Sequence, residues 1–286
     1  AIGAARIKHQ MRELKMASIG HTPQGFGFGR ALDSELMRAF GVTLDSIEAR
    51  ELIDKAKSFT DEECAPCLEE ARAMMVGLDG TPEKNVKDFA RLYKAYKDYV
   101  AENHIGALSS RCWPDFFTSF GTPVCSVLAM LNASGIAASC ESDVYGALSM
   151  YIGTQLTGSP VFFGDPVSMD EKEGTITFWH CGMAACTLAR KDTGARVGVH
   201  PNRKIGPVMD FGCQACDQVT GKDTVIGAFN GYTDTAVIAG ALGNHNCMSY
   251  GPGSLELAHK PNEYVPYEDV SRCRRVLWRL VEQVVF

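Results

Sequence analysis

The sequence has no long apolar run: nothing in it reaches the roughly 18 residues that a membrane-spanning helix needs. Nor does it have a lysine- and arginine-rich cluster interleaved with aromatics, and its formal net charge is −6. No membrane and no nucleic-acid partner is therefore expected. No positively charged stretch followed by a short apolar one opens the chain. The dinucleotide spacing G-x-G-x-x-G is missing, as is any contiguous motif as specific as H-E-x-x-H. Internal repeats and low-complexity segments are missing too.

What is there fits a globular protein: 286 residues, 45% hydrophobic and 22% charged. That length suits two domains or one large one. The eleven cysteines are odd in number and scattered, and Cys125, Cys140 and Cys247 lie in apolar context. Free buried thiols in a reducing cytoplasm fit this better than a disulfide framework. Cys64-x-x-Cys67 and Cys213-x-x-Cys216 are far apart, and no histidine pair completes either as a zinc site.

The order of segments predicts the architecture. Helices are expected over 3–14, Asp33–Phe40, Ala49–Phe59, Asp61–Val76, Thr81–Asn103, Pro123–Leu131 and Val144–Leu156. Thr60 with Glu63 reads as a capping box, and Asp33 and Asp143 as N-caps. Strands are expected over Lys15–Ile19, Val42–Ile47, Ile105–Leu108 and Ile136–Cys140. This alternation predicts an open parallel α/β sheet, flavodoxin-like, over residues 1–157. After Gly158 come short strand-like runs, Pro160–Gly164, Thr175–Trp179, Arg196–His200, Thr224–Phe229 and Ala236–Ala241, and then a helix over Tyr267–Val285. Residues 158–286 are therefore expected to form an antiparallel, β-barrel-like domain with a terminal helix.

Candidate chemistry gathers between Cys140 and Gly182. Glu141 ends a short buried-type strand, where ligands bind in open α/β sheets. Asp143 already serves as the helix cap, so Glu141 is left for another purpose. Asp165 follows an apolar run, and His180 ends an aromatic one. His245 lies in Gly243-Asn244-His245-Asn246. Two carboxylates and an imidazole suit manganese or magnesium, and zinc is less favoured because no thiolate belongs to this set. Such an ion could polarise a carbonyl while a carboxylate moves a proton between adjacent carbons. That is the equipment for interconverting an aldose and a ketose. Trp113 offers a face for a sugar's C–H surface, with a core anchor as its other reading. The loop Gly20–Gly29 reads as a connection that could face substrate.

Cys112-Trp113-Pro114-Asp115, Pro123-x-Cys125, Cys140-Glu141-Ser142-Asp143, Phe163-x-Asp165, Trp179-His180-Cys181-Gly182 and Gly243-Asn244-His245 resemble the L-fucose isomerase / L-arabinose isomerase superfamily. The resemblance implies a ketol isomerase acting on a free sugar. It implies a divalent cation, Mn2+ or else Mg2+ or Co2+, held by Glu141, Asp165 and His245. Glu141 and Asp165 would also transfer the proton, and His180 would be a metal ligand or a sugar contact; Trp113 and Asn244 are the further candidate sugar contacts. It further implies a homo-oligomer, trimeric or hexameric, with active sites near subunit interfaces. Members are longer, so the chain is expected to match their second and C-terminal domains, with the N-terminal domain missing. The alternative expectation is a non-catalytic carbohydrate-binding or regulatory protein, or an inactive fragment, on the same scaffold.

Overall fold

The computed structural model describes residues 2–23, 26–170, 175–180, 182–200 and 205–209, without the side chains of the strands between 165 and 179. The chain divides into two units: Ala1–Gly164 with His180–Ile226, and Asp165–Trp179 with Gly227–Phe286.

In the first unit, helix α1 (Ile2–Glu13) leads into strand β1 (Lys15–Ile19), as the apolar spacing predicts. Helix α2 (Asp33–Phe40), strand β2 (Thr43–Ile47), helices α3 (Ala49–Ser58) and α4 (Asp61–Met74), and the short strand β3 (Met75–Val76) follow. Then come α5 (Glu83–Asn103), β4 (Ala107–Ser110), α6 (Cys125–Ala133), β5 (Ala137–Ser139) and α7 (Val144–Thr157). Four strands form one parallel sheet in the order β2-β1-β4-β5. β4 and β5 are buried along their whole length, which is why they read as unbroken runs of small apolar residues and serine. β2 is an edge strand with partly exposed side chains, among them Asp45, paired with Lys15 at 2.6 Å.

Crossovers between parallel strands are right-handed. The chain steps from β1 out to β2 and then returns past β1 to β4, so the crossover helices fall on opposite faces. α1 packs against α2 and α7, whereas α3, α4 and α6 pack against α5. Val86, Phe89, Leu92, Tyr93 and Tyr96 form the buried face of α5 at helical spacing. Burying a side chain such as Phe89 or Leu92 contributes about 1.5–3 kcal/mol.

The capping box of α4 is present: Glu63 N–H donates to Thr60 Oγ1 at 3.3 Å, and Thr60 N–H donates to Glu63 Oε2 at 2.8 Å. Asp143 caps α7 by accepting from the Gly146 N–H at 2.8 Å. Asp33 does not cap α2. Leu32 holds the N-cap position, and Asp33 and Glu35 instead lie in the first turn, where the helix dipole favours acids.

The strand expected over 160–164 is not one. Val161 and Phe163 lie against the glycine positions Gly153 and Gly146 of α7, which leave room for them. The segment is a strap along the helix, and strand β6 (Asp165–Asp170) begins only after it. β6 pairs antiparallel with β7 (Thr175–Trp179), and these two belong to the second unit. β8 (Ala195–Gly198) joins β3 in parallel and β9 (Val208–Met209) antiparallel. The segments expected over 224–229, 236–241 and 267–285 lie outside the described residues, as does most of the stretch 158–286 for which a barrel-like domain was expected.

Among the described residues, no helix is long and apolar enough to cross a membrane.

Candidate functional site

The strand order reverses between β1 and β4, and at such a point ligands bind in open α/β sheets, outside the carboxyl ends of the strands. Three loops leave those ends: Gly20 after β1, Arg111-Cys112-Trp113 after β4, and Cys140-Glu141-Ser142 after β5. They are tied to one another. Arg111 N–H donates to the Ile19 carbonyl at 2.8 Å, and Ser142 N–H to the Ser110 carbonyl at 3.1 Å. The Ser142 hydroxyl, buried, reaches the Ile19 and Gly20 carbonyls at 3.2 and 3.3 Å. Below them the Tyr96 and Ser110 hydroxyls share a hydrogen bond of 2.7 Å.

β5 is placed from its outer side. Among the described residues it is the last strand of the sheet, and no described strand pairs with its outer peptide groups. Asn132, at the end of α6, fills that role. Its Nδ2 donates to the Ala138 carbonyl at 2.9 Å, and its Oδ1 accepts from the Ala138 N–H at 2.8 Å.

Glu141 and Ser142 both adopt left-handed backbone, φ 55° and 51°. Neither is glycine, and such conformations cost on the order of 1–3 kcal/mol each unless the surroundings impose them. The hydrogen bonds of Ser142 are what impose this one. The turn swings the Glu141 carboxylate toward His180, whose Nε2 lies 3.3 Å from Glu141 Oε2. Their side chains are only 14% and 5% exposed. The His180 ring packs on Phe163, with centroids 5.4 Å apart, and Phe163 fits there because residue 146 has no Cβ.

Burial pushes the neighbouring Asp143 carboxyl above its ordinary value. The Gly146 N–H pulls it down, and the charge of Glu141 raises it further.

Two thiols stand beside Glu141. Cys112 Sγ, Cys140 Sγ and a Glu141 carboxylate oxygen all lie within 4.8 Å of one another. The sequence reading placed no cysteine beside Glu141, whereas the structure brings two thiols there. Cys140 adjoins Glu141 in the sequence, whereas Cys112 reaches it only through the register of β4 and β5. Ser142, Gly146, Phe163 and Asn132 were likewise not singled out as site-building residues. The other pair, Cys64 and Cys67, sits buried and free in α4, where burial first and Cys67 second push the Cys64 thiol up to about 11. These are structural thiols.

Trp113 is half-buried in the loop after β4, joined to Pro114 by a cis peptide and edge-on to Phe26 at 6.3 Å. The glycine and aromatic loop after β1 comes back onto the site, and Gly29 abuts the Asp143 backbone so closely that a Cβ there would lie 2.9 Å from the Asp143 Cα. Asp165 opens β6 opposite Trp179 in the second unit, and its side chain is outside the described ones. Asn244 and His245 also lie outside the described residues, as do Cys213 and Cys216. The structure thus joins Glu141 to His180 and to two cysteines, and describes the other expected ligands no further.

A protein-family model described as peptidase family M20/M25/M40 matches residues 55–283. The chain belongs to this family. The match overturns the resemblance to the L-fucose isomerase / L-arabinose isomerase superfamily, which rested on short motifs scattered along the chain.

Relatives of the chain carry another name. It is 71% identical over 217 residues to a sulfoquinovose isomerase of Clostridium sp. (strain MSTE9), covering 76% of this chain and 48% of that protein. It is 39% identical over 215 residues to a sulfoquinovose isomerase of Priestia megaterium, covering 75% and 48%. It is 39% identical over 207 residues to one of Alkalicoccus urumqiensis, covering 72% and 46%. The chain spans about half the length of the curated relatives it matches. Family and relatives are named for different reactions, a peptidase on one side and sugar isomerases on the other.

Proposed function

We propose that the chain belongs to an aldose–ketose isomerase acting on sulfoquinovose, with Glu141 as the proton-transferring base. The observation that carries this reading is the Glu141–His180 contact at the carboxyl ends of parallel strands, in a chain so similar to proteins of that name. Isomerisation removes the proton on C2 of the aldose and delivers one to C1. Glu141 takes the C2 proton while the electron pair forms the C1–C2 double bond and the C1 carbonyl oxygen takes a proton from solvent. The C2 hydroxyl then returns a proton to solvent, the C2 carbonyl forms, and Glu141 returns its proton to C1. His180 holds the carboxylate in one orientation and keeps it in hydrogen-bonding contact when it is protonated.

The expected hard cation, manganese or magnesium, takes oxygen donors. The described donors beside Glu141 are the His180 imidazole and two thiols, and no step is routed through an ion. Asp165 and His245, expected to complete an oxygen- and nitrogen-rich set, lie beyond what the described side chains reach.

Incubating the purified protein with sulfoquinovose in deuterated water tests the reading. We expect ketose to form with deuterium at the exchanged carbon. Glu141→Gln should lower the rate by at least about 100-fold, in the range of a lost general base. The family match favours a second reading, peptide hydrolysis, so the same protein is offered a set of short peptides. Peptide cleavage without sugar turnover, or full isomerase activity in Glu141→Gln, would refute the proposal.

A further inference from the structure

Sulfoquinovose differs from an ordinary hexose by the sulfonate on its last carbon. A site for it needs an anion receptor besides the base at C1 and C2. A sulfonate is ionised at every physiological pH, and its oxygens are acceptors only. The matching donor is a guanidinium, permanently charged and able to give two parallel hydrogen bonds. Its place is constrained too. Glu141 is itself an acid, and the sulfonate sits at the far end of the carbon chain. The cation therefore belongs at the strand ends but away from β5.

Arg111 meets these conditions. It is the first residue after β4, and of the three loop stems at the strand ends it alone brings a permanent positive charge. Its side chain turns toward β1, on the side of β4 opposite to β5. A Cβ at Gly20, just beyond β1, would stand 3.0 Å from Arg111 Cβ and 3.2 Å from Arg111 Cδ. From β5 across β4 to β1 is two strand spacings, about 10 Å, which leaves room for a six-carbon chain between Glu141 and the guanidinium. One edge of that guanidinium is committed. Nε donates to the Trp113 carbonyl at 3.1 Å and stands 2.9 Å from Asp115 Oδ2. These contacts fix the plane of the group. Among the described residues, neither Nη1 nor Nη2 has a hydrogen-bond acceptor, and the side chain is 24% exposed. The outer fork is thus held in place and open. The other cations near the β1 loop are less suited. His21 faces Glu48 at 3.5 Å and is charged only when protonated, and Arg30 is exposed.

We infer that Arg111 is the sulfonate receptor of the sugar site, its Nη1 and Nη2 donating to two sulfonate oxygens. The sugar then lies with its anionic end over β1 and its C1–C2 end at Glu141, so that like charges are kept apart and the reacting carbons are presented to the base. Arg111 in this role sets specificity for an anionic sugar over a neutral one.

The identity of the anion rests on the isomerase reading, so the test measures binding apart from turnover. The sugar alcohol made by reducing sulfoquinovose has no carbonyl to isomerise. The sugar alcohol of 6-deoxyglucose lacks only the sulfonate. Calorimetric titration of the purified protein with each gives its preference for the charged group. We expect the sulfonated alcohol to bind at least about 10-fold more tightly, as hydrogen bonds to a charged group imply. Arg111→Gln should erase the preference, and Arg111→Lys should keep part of it, because lysine retains the charge but not the fork. In the unaltered protein, the sulfonated alcohol and not the other should shield Arg111 from phenylglyoxal, as mapped by mass spectrometry.

Equal affinity for the two alcohols would overturn the inference. So would an unchanged preference in Arg111→Gln, or shielding of Arg30 in place of Arg111. If Arg111→Gln fails to fold, the shielding pattern of the unaltered protein decides. Turnover of sulfoquinovose with an unchanged preference in Arg111→Gln would sink this inference and leave the isomerase reading standing. Arg111-dependent binding of the sulfonated alcohol by a protein that turns over no sugar would do the reverse.

Discussion

Asn132→Ala is the sharpest test of how the fold places Glu141. Asn132 is a single side chain standing in for a missing strand. It is 3% exposed and satisfies both outward peptide groups of Ala138, itself fully buried, at 2.8 and 2.9 Å. Truncation removes both bonds and leaves a buried N–H and a buried C=O without their partner. Each group left unsatisfied costs about 1–3 kcal/mol, so a loss of about 2–6 kcal/mol is expected if no water enters. Every 1 kcal/mol corresponds to roughly 2–4 °C in a protein of this size class, which puts the fall in Tm at about 4–24 °C.

Asn132→Asp separates the bonds from the packing, because it keeps the shape. Ionised, it can still accept from the Ala138 N–H but faces the Ala138 carbonyl with a second acceptor. Protonated, it can donate again. Burial raises the pKa of an acid in this position, so the folded state holds the proton more tightly than the unfolded one. Stability of Asn132→Asp should therefore be greatest below the unfolded value of about 4 and should fall as pH rises through the folded value. Urea unfolding of both variants at several pH values measures this. If Asn132→Ala loses less than about 0.5 kcal/mol, or Asn132→Asp shows no acid recovery, then Asn132 does not hold β5 and the reasoning fails.

The hydroxyl of Ser142 should be worth about 1–2 kcal/mol in Ser142→Ala, and Ser142→Gly should recover part of that by relieving the left-handed backbone; equal stability of all three in urea would show that the turn is not held as described. In Gly146→Ala the new methyl meets the Phe163 ring, so overpacking of about 1–3 kcal/mol should outweigh the ~1 kcal/mol helix gain, and the Tm should drop rather than rise. At Glu70, burial raises the carboxyl but hydrogen bonds from Lys97 at 2.7 Å and Tyr93 at 2.8 Å outweigh it, and the carboxyl ends below its ordinary value of 4.5. Its stabilising contribution is therefore present above pH 4.5 and lost as pH falls through the depressed value. Glu70→Gln should flatten the acid limb of the stability curve, and an unchanged limb would refute the assignment.

The sequence exposed its helices well because their signals are local. Thr60 and Glu63, Asp143, and the 3-4 spacing of Val86, Phe89 and Tyr93 each act within a few residues. The strap at 160–164 was misread for a related reason. Its apolar run is real, but it packs against Gly146 and Gly153, and nothing within the run reveals that a helix with glycine gaps lies beneath it. The site was legible only in part. Glu141 stood out because its neighbour Asp143 already explained the cap. Cys112 was hidden because its approach to Cys140 depends on the register of two strands far apart in sequence. Asn132 looked like a helix end, and its service to Ala138 depends on β5 being the last strand, which no local pattern announces.

The position of this site is set by topology before any chemistry is chosen. The strand order reverses between β1 and β4, and the β5 turn is drawn toward that gap by Ser142, so a carboxylate at 141 must stand over the gap whatever it does there. Family membership and the names of the relatives can therefore both be compatible with one location. What separates them is the state of Glu141. A carboxylate that ligates an ion has given its lone pair to the metal and is a poorer base than a free one held by His180. The two roles compete for one side chain. If Glu141 is the free base of an isomerase, a chelator should leave deuterium exchange at the sugar unchanged and added divalent cation should slow it. If exchange instead requires the cation, Glu141 is a ligand first, and the base must be another residue.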